Sequence, residues 1–345
     1  LAGESGAKRV LKDRLGRSIE NVESIRPARH GKDLKTSIDL RLQYLAYRSL
    51  KAAIKTYEAR SGSIVVLDVK TGEVLAMVNQ PTYNPNDRSQ FLPARYRNRA
   101  ITDLFEPGSS IKPLIVAAAL ESGHYRPSSI VDTAPGYVDV GAKRIEDSRN
   151  LGRVSLTTIL ARSSNVGVTK LAMQLEPDQL WETMTNFGFG ALTSSGFPGE
   201  SAGRLTYFSH WKPINQATLA YGYGVSVTPL QLAQAYAVIG DGDGLRPVSL
   251  VGLDQPADSQ QVISEDTAVA VKRMLEEVVR PGATGAKASV DGYRIAGKTG
   301  TAWKAAEGGY SEDKYISIFA GLAPASEPRL ATVVVIDEPR GELYY

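Results

Sequence analysis

The stretch Glu106-Pro107-Gly108-Ser109-Ser110-Ile111-Lys112-Pro113 runs into an unbroken apolar segment, Leu114 to Leu120, and restricts how this part of the chain can fold. Pro107 and Gly108 break whatever precedes them. Pro113 is tolerated in a helix only within the first turn, where its missing N–H would have had no partner. The spacing therefore predicts a helix beginning at about Ser109. In that frame Ser109 and Lys112 lie one turn apart on one face, so the amine can reach the hydroxyl. The positive end of the helix favours a developing alkoxide or oxyanion at Ser109 and disfavours an ammonium beside it. Such a pair suits a serine nucleophile with a lysine base. A lysine serves as a base near neutral pH only if its pKa falls from about 10.4 by roughly three units, about 4 kcal/mol, through burial and nearby positive charge. Ile111, Leu114, Ile115 and Val116 can supply the burial; a second cation must come from elsewhere in the chain.

The 345 residues, 42% hydrophobic and 22% charged, can bury one large core or two modest ones. A net charge of +3, with Lys and Arg interspersed among the acids, does not call for nucleic acid. Arg95, Arg97 and Arg99 read as a solvated loop face. The absence of cysteine and the isolation of His30, His124 and His210 argue against a zinc site and against a Cys-His or Ser-His-Asp catalyst. Neither a Gly-x-Ser-x-Gly elbow nor a Walker loop occurs, so no metal or cofactor is expected. The apolar run is far shorter than the roughly 20 residues of a membrane span, and the chain as given reads as soluble. It opens at Leu1 without a methionine or signal peptide, as a trimmed or mature form would, with any anchor out of view.

Residues 1–35 are polar and show no sustained period, which reads as a linker or the remnant of a preceding domain. Ile38, Leu42, Leu45, Leu50, Ile54 and Tyr57 then fall at helical spacing behind a Thr36/Ser37 cap. Ser63 to Val69 and Glu73 to Val78 form a predicted hairpin across Lys70-Thr71-Gly72. Gln80 to Asn98 reads as a loop, and 122–154 as irregular. Helices are predicted at Leu156–Arg162, Val166–Leu175 and Asp178–Phe187, then from a Thr228 cap through Pro229 to Ile239, and from Ser264 to Val279. Gly188 to Trp211 is a long Gly/Ser/Pro region. Strands at Tyr293–Ala302, Tyr315–Ala323 and Leu330–Ile336 suggest an antiparallel meander. The sum is an α+β protein, with the helices of 155–239 set into it as a helical subdomain.

Ser-x-x-Lys occurs four times, at Ser5, Ser109, Ser209 and Ser311, and only the second occurrence opens a long apolar helix. Lys298-Thr299-Gly300-Thr301 lies in a predicted strand. Alternation there puts Thr299 and Thr301 on one face, and Gly300 lets another backbone approach. Two hydroxyls and a lysine beside an open strand edge can bind a carboxylate and pair with an extended peptide. Taken alone, that segment could equally be a strand bulge. Ser163-Ser164-Asn165 interrupts two helices and can turn a hydroxyl and an amide into a cleft, or merely cap a helix. Ser148-Arg149-Asn150 has the same form but sits in a highly polar loop.

Ser-x-x-Lys, Ser-x-Asn and Lys-Thr-Gly in this order mark penicillin-binding proteins and serine β-lactamases. Further segments resemble class B penicillin-binding proteins of the division-specific penicillin-binding protein 3 type: 62–68, 71–77, Tyr83-Asn84-Pro85-Asn86, Tyr221-Gly222-Tyr223-Gly224 and 228–233. The resemblance covers about residue 36 to the end, making 36–345 a transpeptidase domain and 1–35 the end of a non-catalytic pedestal. Ser110 stands where the family often has threonine, and relatives continue past Tyr345 with a Gly-rich segment and a final helix.

The implied fold is the penicillin-binding/serine β-lactamase-like transpeptidase fold, an antiparallel sheet flanked by helices. The implied activity is a peptidoglycan D,D-transpeptidase without cofactor. Ser109 would attack the D-Ala-D-Ala amide, Lys112 would take its proton, and Ser163, between Lys112 and Lys298, would relay one to the leaving amine. Asn165 would hold the substrate amide. Thr299 and Thr301, with Gly300 between them, would hold the terminal carboxylate. The backbone N–H groups of Ser109 and Thr301 would hold the oxyanion. The implied partners are peptidoglycan stem peptides, β-lactam antibiotics, a septal glycan polymerase and division-complex proteins. The implied location is the periplasm, as part of an inner membrane protein. Two rivals remain at this level: a β-lactamase or D,D-carboxypeptidase, although Glu182, superficially similar to the deacylating glutamate of class A β-lactamases, lacks the expected leucine and reads as part of an amphipathic helix, and a non-enzymatic penicillin sensor or scaffold.

Overall fold

The computed structural model describes residues 2–340 apart from 88, 90, 91, 243, 307 and 308. In chain order its strands are β1 (Ala7–Lys12), β2 (Ser18–Arg26), β3 (Ser61–Asp68), β4 (Val74–Gln80), β5 (Ile130–Asp132), β6 (Tyr137–Val140), β7 (Lys143–Glu146), β8 (Arg153–Ser155), β9 (Arg204–Leu205), β10 (Val225–Ser226), β11 (Ala296–Ala306), β12 (Gly309–Ala323) and β13 (Leu330–Asp337). Its helices are α1 (Leu40–Thr56), α2 (Pro93–Tyr96), α3 (Arg99–Thr102), α4 (Lys112–Glu121), α5 (Leu156–Ala161), α6 (Asn165–Ala172), α7 (Pro177–Asn186), α8 (Pro213–Leu219), α9 (Pro229–Asp241) and α10 (Glu265–Val279).

The chain divides between Thr36 and Ser37 into two units. The first contains an antiparallel hairpin, β1 with β2, where the sequence shows no period. The reason is that almost every residue of both strands is exposed, so no buried face imposes alternation.

The second unit is built on a five-stranded antiparallel sheet in the order β11-β12-β13-β3-β4. The C-terminal meander thus continues into the early hairpin, and β11 is left on an edge. Alternation along the strands gives the sheet two apolar faces. Ile64, Val66, Ala76 and Val78 pack with Leu50 of α1. Val65, Leu67, Val333 and Val335 join the main core, where α9 packs against β13 and β3, and α10 against β11. The helices of 155–239 therefore do not form one inserted block. α9 is a layer of the sheet sandwich, and α5, α6 and α7 pack around α4.

Helix starts follow the capping residues. Thr228 accepts from Gln231 N while the Gln231 side chain accepts from Thr228 N, with Pro229 in the first turn. Ser264 caps α10 from one side only: its Oγ accepts from Thr267 N, while its own N–H donates to Glu121 Oε1. At α1 the cap is Asp39 rather than Thr36 or Ser37, and its carboxylate accepts from the N–H groups of Arg41 and Leu42. Leu45 and Tyr57, placed on the inner face by spacing alone, are exposed. α8, which the sequence reading leaves out, opens on Pro213. Arg99 is not on a solvated face; it is buried, donating to the Ala94 carbonyl, whereas Arg97 pairs with Asp103 at 2.7 Å.

Candidate active site

The nucleophile candidate does not sit in the α-helix itself. Gly108–Ile111 form a 3₁₀ turn, and α4 starts at Lys112 with Pro113 in its first turn. Pro113 cannot extend the ladder backwards, so the chain enters the helix through a tighter turn. Side chains three apart eclipse one another in a 3₁₀ turn, so Ser109 and Lys112 still share a side. The turn is held by its neighbours. Ser110 is buried, donates to the Pro107 carbonyl at 2.6 Å, and offers its own carbonyl to the hydroxyl of buried Tyr236 at 2.8 Å. Gly108 has φ of 51°, and a Cβ there would lie 2.5 Å from the Thr301 carbonyl oxygen. Only glycine lets the turn press against β11. Gly300 serves the same contact from the other side, since a Cβ on it would meet the Pro107 carbonyl at 2.9 Å.

All of α4 from Lys112 to Ala119 is buried. Full burial of Leu114, Ile115 and Val116 is worth about 1.5–3 kcal/mol each, which together outweighs the roughly 4 kcal/mol needed to hold one amine neutral. Lys112 Nζ donates to the Ser163 carbonyl at 2.5 Å, to Ser163 Oγ at 3.1 Å and to Asn165 Oδ1 at 2.7 Å. Lys298 Nζ, equally buried, donates to Ser163 Oγ at 3.1 Å and to the Thr299 carbonyl at 3.0 Å. One hydroxyl thus lies between two amines contributed by segments 186 residues apart in sequence number (298 − 112). Ser163 holds this place in the left-handed region, at φ of 56°, in the break between α5 and α6. Such a conformation is costly for a non-glycine residue and is kept only where its surroundings require it.

Burial, helped by the charge on Lys298 and opposed by Asp147, holds the Lys112 amine well below its usual range. Burial pushes Lys298 down to about 7. Between about 7 and 10.5 the unfolded chain binds a proton at Lys298 that the folded protein does not, so this group makes stability rise with pH in that window. The gain is lost as pH falls through about 7. Thermal melts of Lys298→Met are expected to climb less steeply with pH over this range than those of the wild type; parallel curves would place the ammonium in solvent.

The cleft above these groups has a volume of about 950 Å³. Ser109, Ser163, Asn165, Thr299, Gly300 and Thr301 line it, and Lys112 and Lys298 lie beneath. All eight side chains or backbone positions singled out in the sequence are thus brought to one place, on the 3₁₀ turn, the α5–α6 break and the edge strand. Ser209 and Ser311 are not in the lining, although Tyr310 beside Ser311 is, and neither is Glu182 on α7.

Other residues of the site carry no signature in the sequence. Asp147 accepts from Ser164 Oγ and Asn165 N, both at 2.5 Å, and from Val166 N at 3.0 Å, and so caps α6 and fixes Asn165. Nothing in an irregular, charged stretch marks it among its neighbours. Ser148 and Arg149, whose highly polar surroundings in sequence suggest only a solvated loop, line the cleft. On the far wall, Tyr223 Oη accepts from Trp303 N at 3.3 Å, and Glu106 Oε1 accepts from Gly224 N at 2.8 Å and Tyr310 Oη at 3.1 Å. Among the described residues no group of side chains could hold a metal ion, and no helix is long and apolar enough to cross a membrane.

The model of the penicillin binding protein transpeptidase domain matches residues 62–345. The chain is 45% identical over 345 residues to the peptidoglycan D,D-transpeptidase FtsI of Escherichia coli (strain K12), covering 100% of this chain and 58% of that protein. It is 40% identical to the probable peptidoglycan D,D-transpeptidase PenA of Neisseria flavescens, covering 100% of this chain and 86% of that sequence. The apo structure of the TP domain from Burkholderia pseudomallei penicillin-binding protein 3 superposes with a TM-score of 0.83 at 40% identity, covering 90% of each chain. The chain spans 58% of the length of the Escherichia coli relative. The three motifs, the sheet that joins them and these similarities agree: the chain belongs to the penicillin-binding protein transpeptidase domain family.

Proposed function

We propose that this chain is the catalytic part of a peptidoglycan D,D-transpeptidase acting in cell-wall synthesis at division. What carries the reading is the Ser163 hydroxyl at 3.1 Å from both buried amines, since that contact gives a proton a route between them. Ser109 Oγ attacks the carbonyl of the D-Ala-D-Ala amide while neutral Lys112 takes its proton. The backbone N–H groups of Ser109 and Thr301 stabilise the oxyanion, and Thr299 and Thr301 hold the terminal carboxylate. As the C–N bond breaks, Ser163 passes a proton to the departing D-alanine. Asn165 holds the substrate amide. An amine on a second strand then attacks the Ser109 ester, the Oγ–C bond breaks, and the serine regains its proton. β-Lactams acylate the same oxygen.

Residues 36–345 are the transpeptidase domain in this reading, and 1–35 the end of a pedestal. The setting is the periplasm, within an inner membrane protein whose partners include a glycan polymerase and other division proteins. Glu182 lies outside the cleft lining, so the chain offers no counterpart of a deacylating glutamate there.

The test is incubation with a β-lactam followed by peptide mass spectrometry, then with a D-Ala-D-Ala donor and a free amine. A persistent adduct on the Ser109 peptide, D-alanine release and a new amide are expected. Rapid penicillin turnover without transfer would assign a hydrolase instead.

A further inference from the structure

Glu106 carries a charge that its place in the fold does not call for. It lies three positions before Ser109 and is half-buried. Its Oε1 accepts from Gly224 N at 2.8 Å and from Tyr310 Oη at 3.1 Å, and so ties the loop after α8 to the β11–β12 hairpin. Both bonds end on one oxygen, and an amide oxygen would accept them as well. Among the described residues Oε2 takes no hydrogen bond, and no lysine or arginine pairs with Glu106. A half-buried carboxylate without a counter-ion is costly to keep, so the charge calls for a cation that arrives from outside. The surroundings suit one. Tyr223 and Tyr310, with ring centroids 5.1 Å apart and planes at 86°, line the cleft beside Tyr221 and Trp303, and ring faces attract cations. Burial and the Glu106 carboxylate push the Tyr310 hydroxyl up, so it stays a neutral donor to that carboxylate. The cations of the lining, Lys143, Arg149 and Arg162, all belong to the β7–α5 side, so none competes here.

We infer that Glu106, with the rings of Tyr223 and Tyr310, forms the acceptor subsite, which draws in the amine of the second strand in its ammonium form. This rests on the transpeptidase reading above. The docked ammonium yields one proton to water, and its nitrogen then attacks the Ser109 ester by the steps already given. That attack is the departure of D-alanine run backwards, so the incoming nitrogen enters where the leaving one left, on the side of Thr299 and Thr301. Alternation carries the cleft-lining face of β11 from Thr299 and Thr301 on to Trp303, and the pairing of Ala305 with Tyr310 places Tyr310 just beyond. From the other side, Gly222 packs so closely on the Ser109 turn that a Cβ on it would overlap the Gly108 carbonyl, which sets Tyr223 and Gly224 beside the nucleophile. An amine passing between these two walls meets Glu106 and the rings first.

The experiment offers one acyl-enzyme two competing acceptors: glycinamide, which carries an ammonium and no carboxylate, and methanol, which is neutral. The donor is a peptide ending in D-Ala-D-Ala, and the amide and methyl ester are quantified by mass spectrometry. Both products draw on the same intermediate, so a change in acylation cancels in their ratio. Glu106→Gln keeps an oxygen for Gly224 N and Tyr310 Oη and removes only the charge. It is expected to lower the amide-to-ester ratio about five- to tenfold, the scale of one partly exposed charge contact aided by ring faces. High salt should lower the wild-type ratio and leave that of Glu106→Gln flat. Tyr310→Leu, which removes a ring and leaves the carboxylate, should lower the ratio by a smaller factor. An undiminished ratio in Glu106→Gln, or a wild-type ratio that ignores salt, overturns the subsite while penicillin still labels Ser109. Should Glu106→Gln yield no product, the salt dependence of the wild type and the ratio in Tyr310→Leu decide. A wild type that penicillin does not label at Ser109 overturns the transpeptidase reading and the subsite together.

Discussion

Ser109→Ala abolishes covalent labelling by a fluorescent penicillin and leaves the melting temperature within a few degrees of the wild type. The first half follows from the lack of any substitute nucleophile in the right place. Ser110, its neighbour, is buried with its hydroxyl on the Pro107 carbonyl, and Ser163 is held between two amines inside the break before α6. The second half follows from what anchors the turn. Ser110 and Tyr236 hold it through buried hydrogen bonds, and Gly108 presses it against β11; none of these uses the Ser109 side chain. Removing one half-exposed hydroxyl costs little stability, since substitutions away from buried contacts usually stay within about 0.5 kcal/mol. Gel fluorescence and a thermal melt on the same sample check both. Labelling that survives, or that maps to Ser5, removes Ser109 from the reaction.

The residues that meet in the cleft are legible in sequence where backbone chemistry marks them. Pro107, Gly108 and Pro113 fix the start of α4 to within a turn, but they do not reveal that this start is a 3₁₀ turn, because both helix types begin with the same unpaired N–H groups. Thr228-Pro229 and Ser264 set α9 and α10 because capping is local. The alternation that gives Thr299 and Thr301 one face survives on β11, although the strand begins later than its apolar pattern does. Asp147 is illegible because its role depends on α6 arriving beside it, a long-range event that leaves no spacing to read. The hairpin β1–β2 is illegible for the opposite reason: with both faces wet, nothing selects which residues alternate. Arg99 is illegible because a cluster of like charges usually means solvent, whereas here one member turns inward.

The second large effect belongs to Lys112. Lys112→Ala should slow acylation by penicillin at least about a hundredfold, the scale of lost general-base catalysis. The reason is electrostatic as much as geometric. Burial and the Lys298 charge both act against the Lys112 ammonium, with Asp147 opposing them, and burial brings Lys298 down to about 7, so both amines give up their protons more readily than exposed lysines do. The wild-type acylation rate should therefore hold near neutrality and fall on the acid side, as Lys112 gains its own proton and can no longer accept that of Ser109. In Lys112→Ala the acid limb should vanish along with most of the rate, since no group is left whose protonation matters at that step. Stopped-flow acylation across pH 5–9, a range of about four units chosen around the usual titration of depressed amines, separates the two proteins. Lys112→Arg keeps a cation in the cavity but cannot accept a proton, so it should be as slow as alanine. An arginine variant that acylates at the wild-type rate would mean that positive charge alone activates Ser109, and that the depressed amine at 112 has no part in taking its proton.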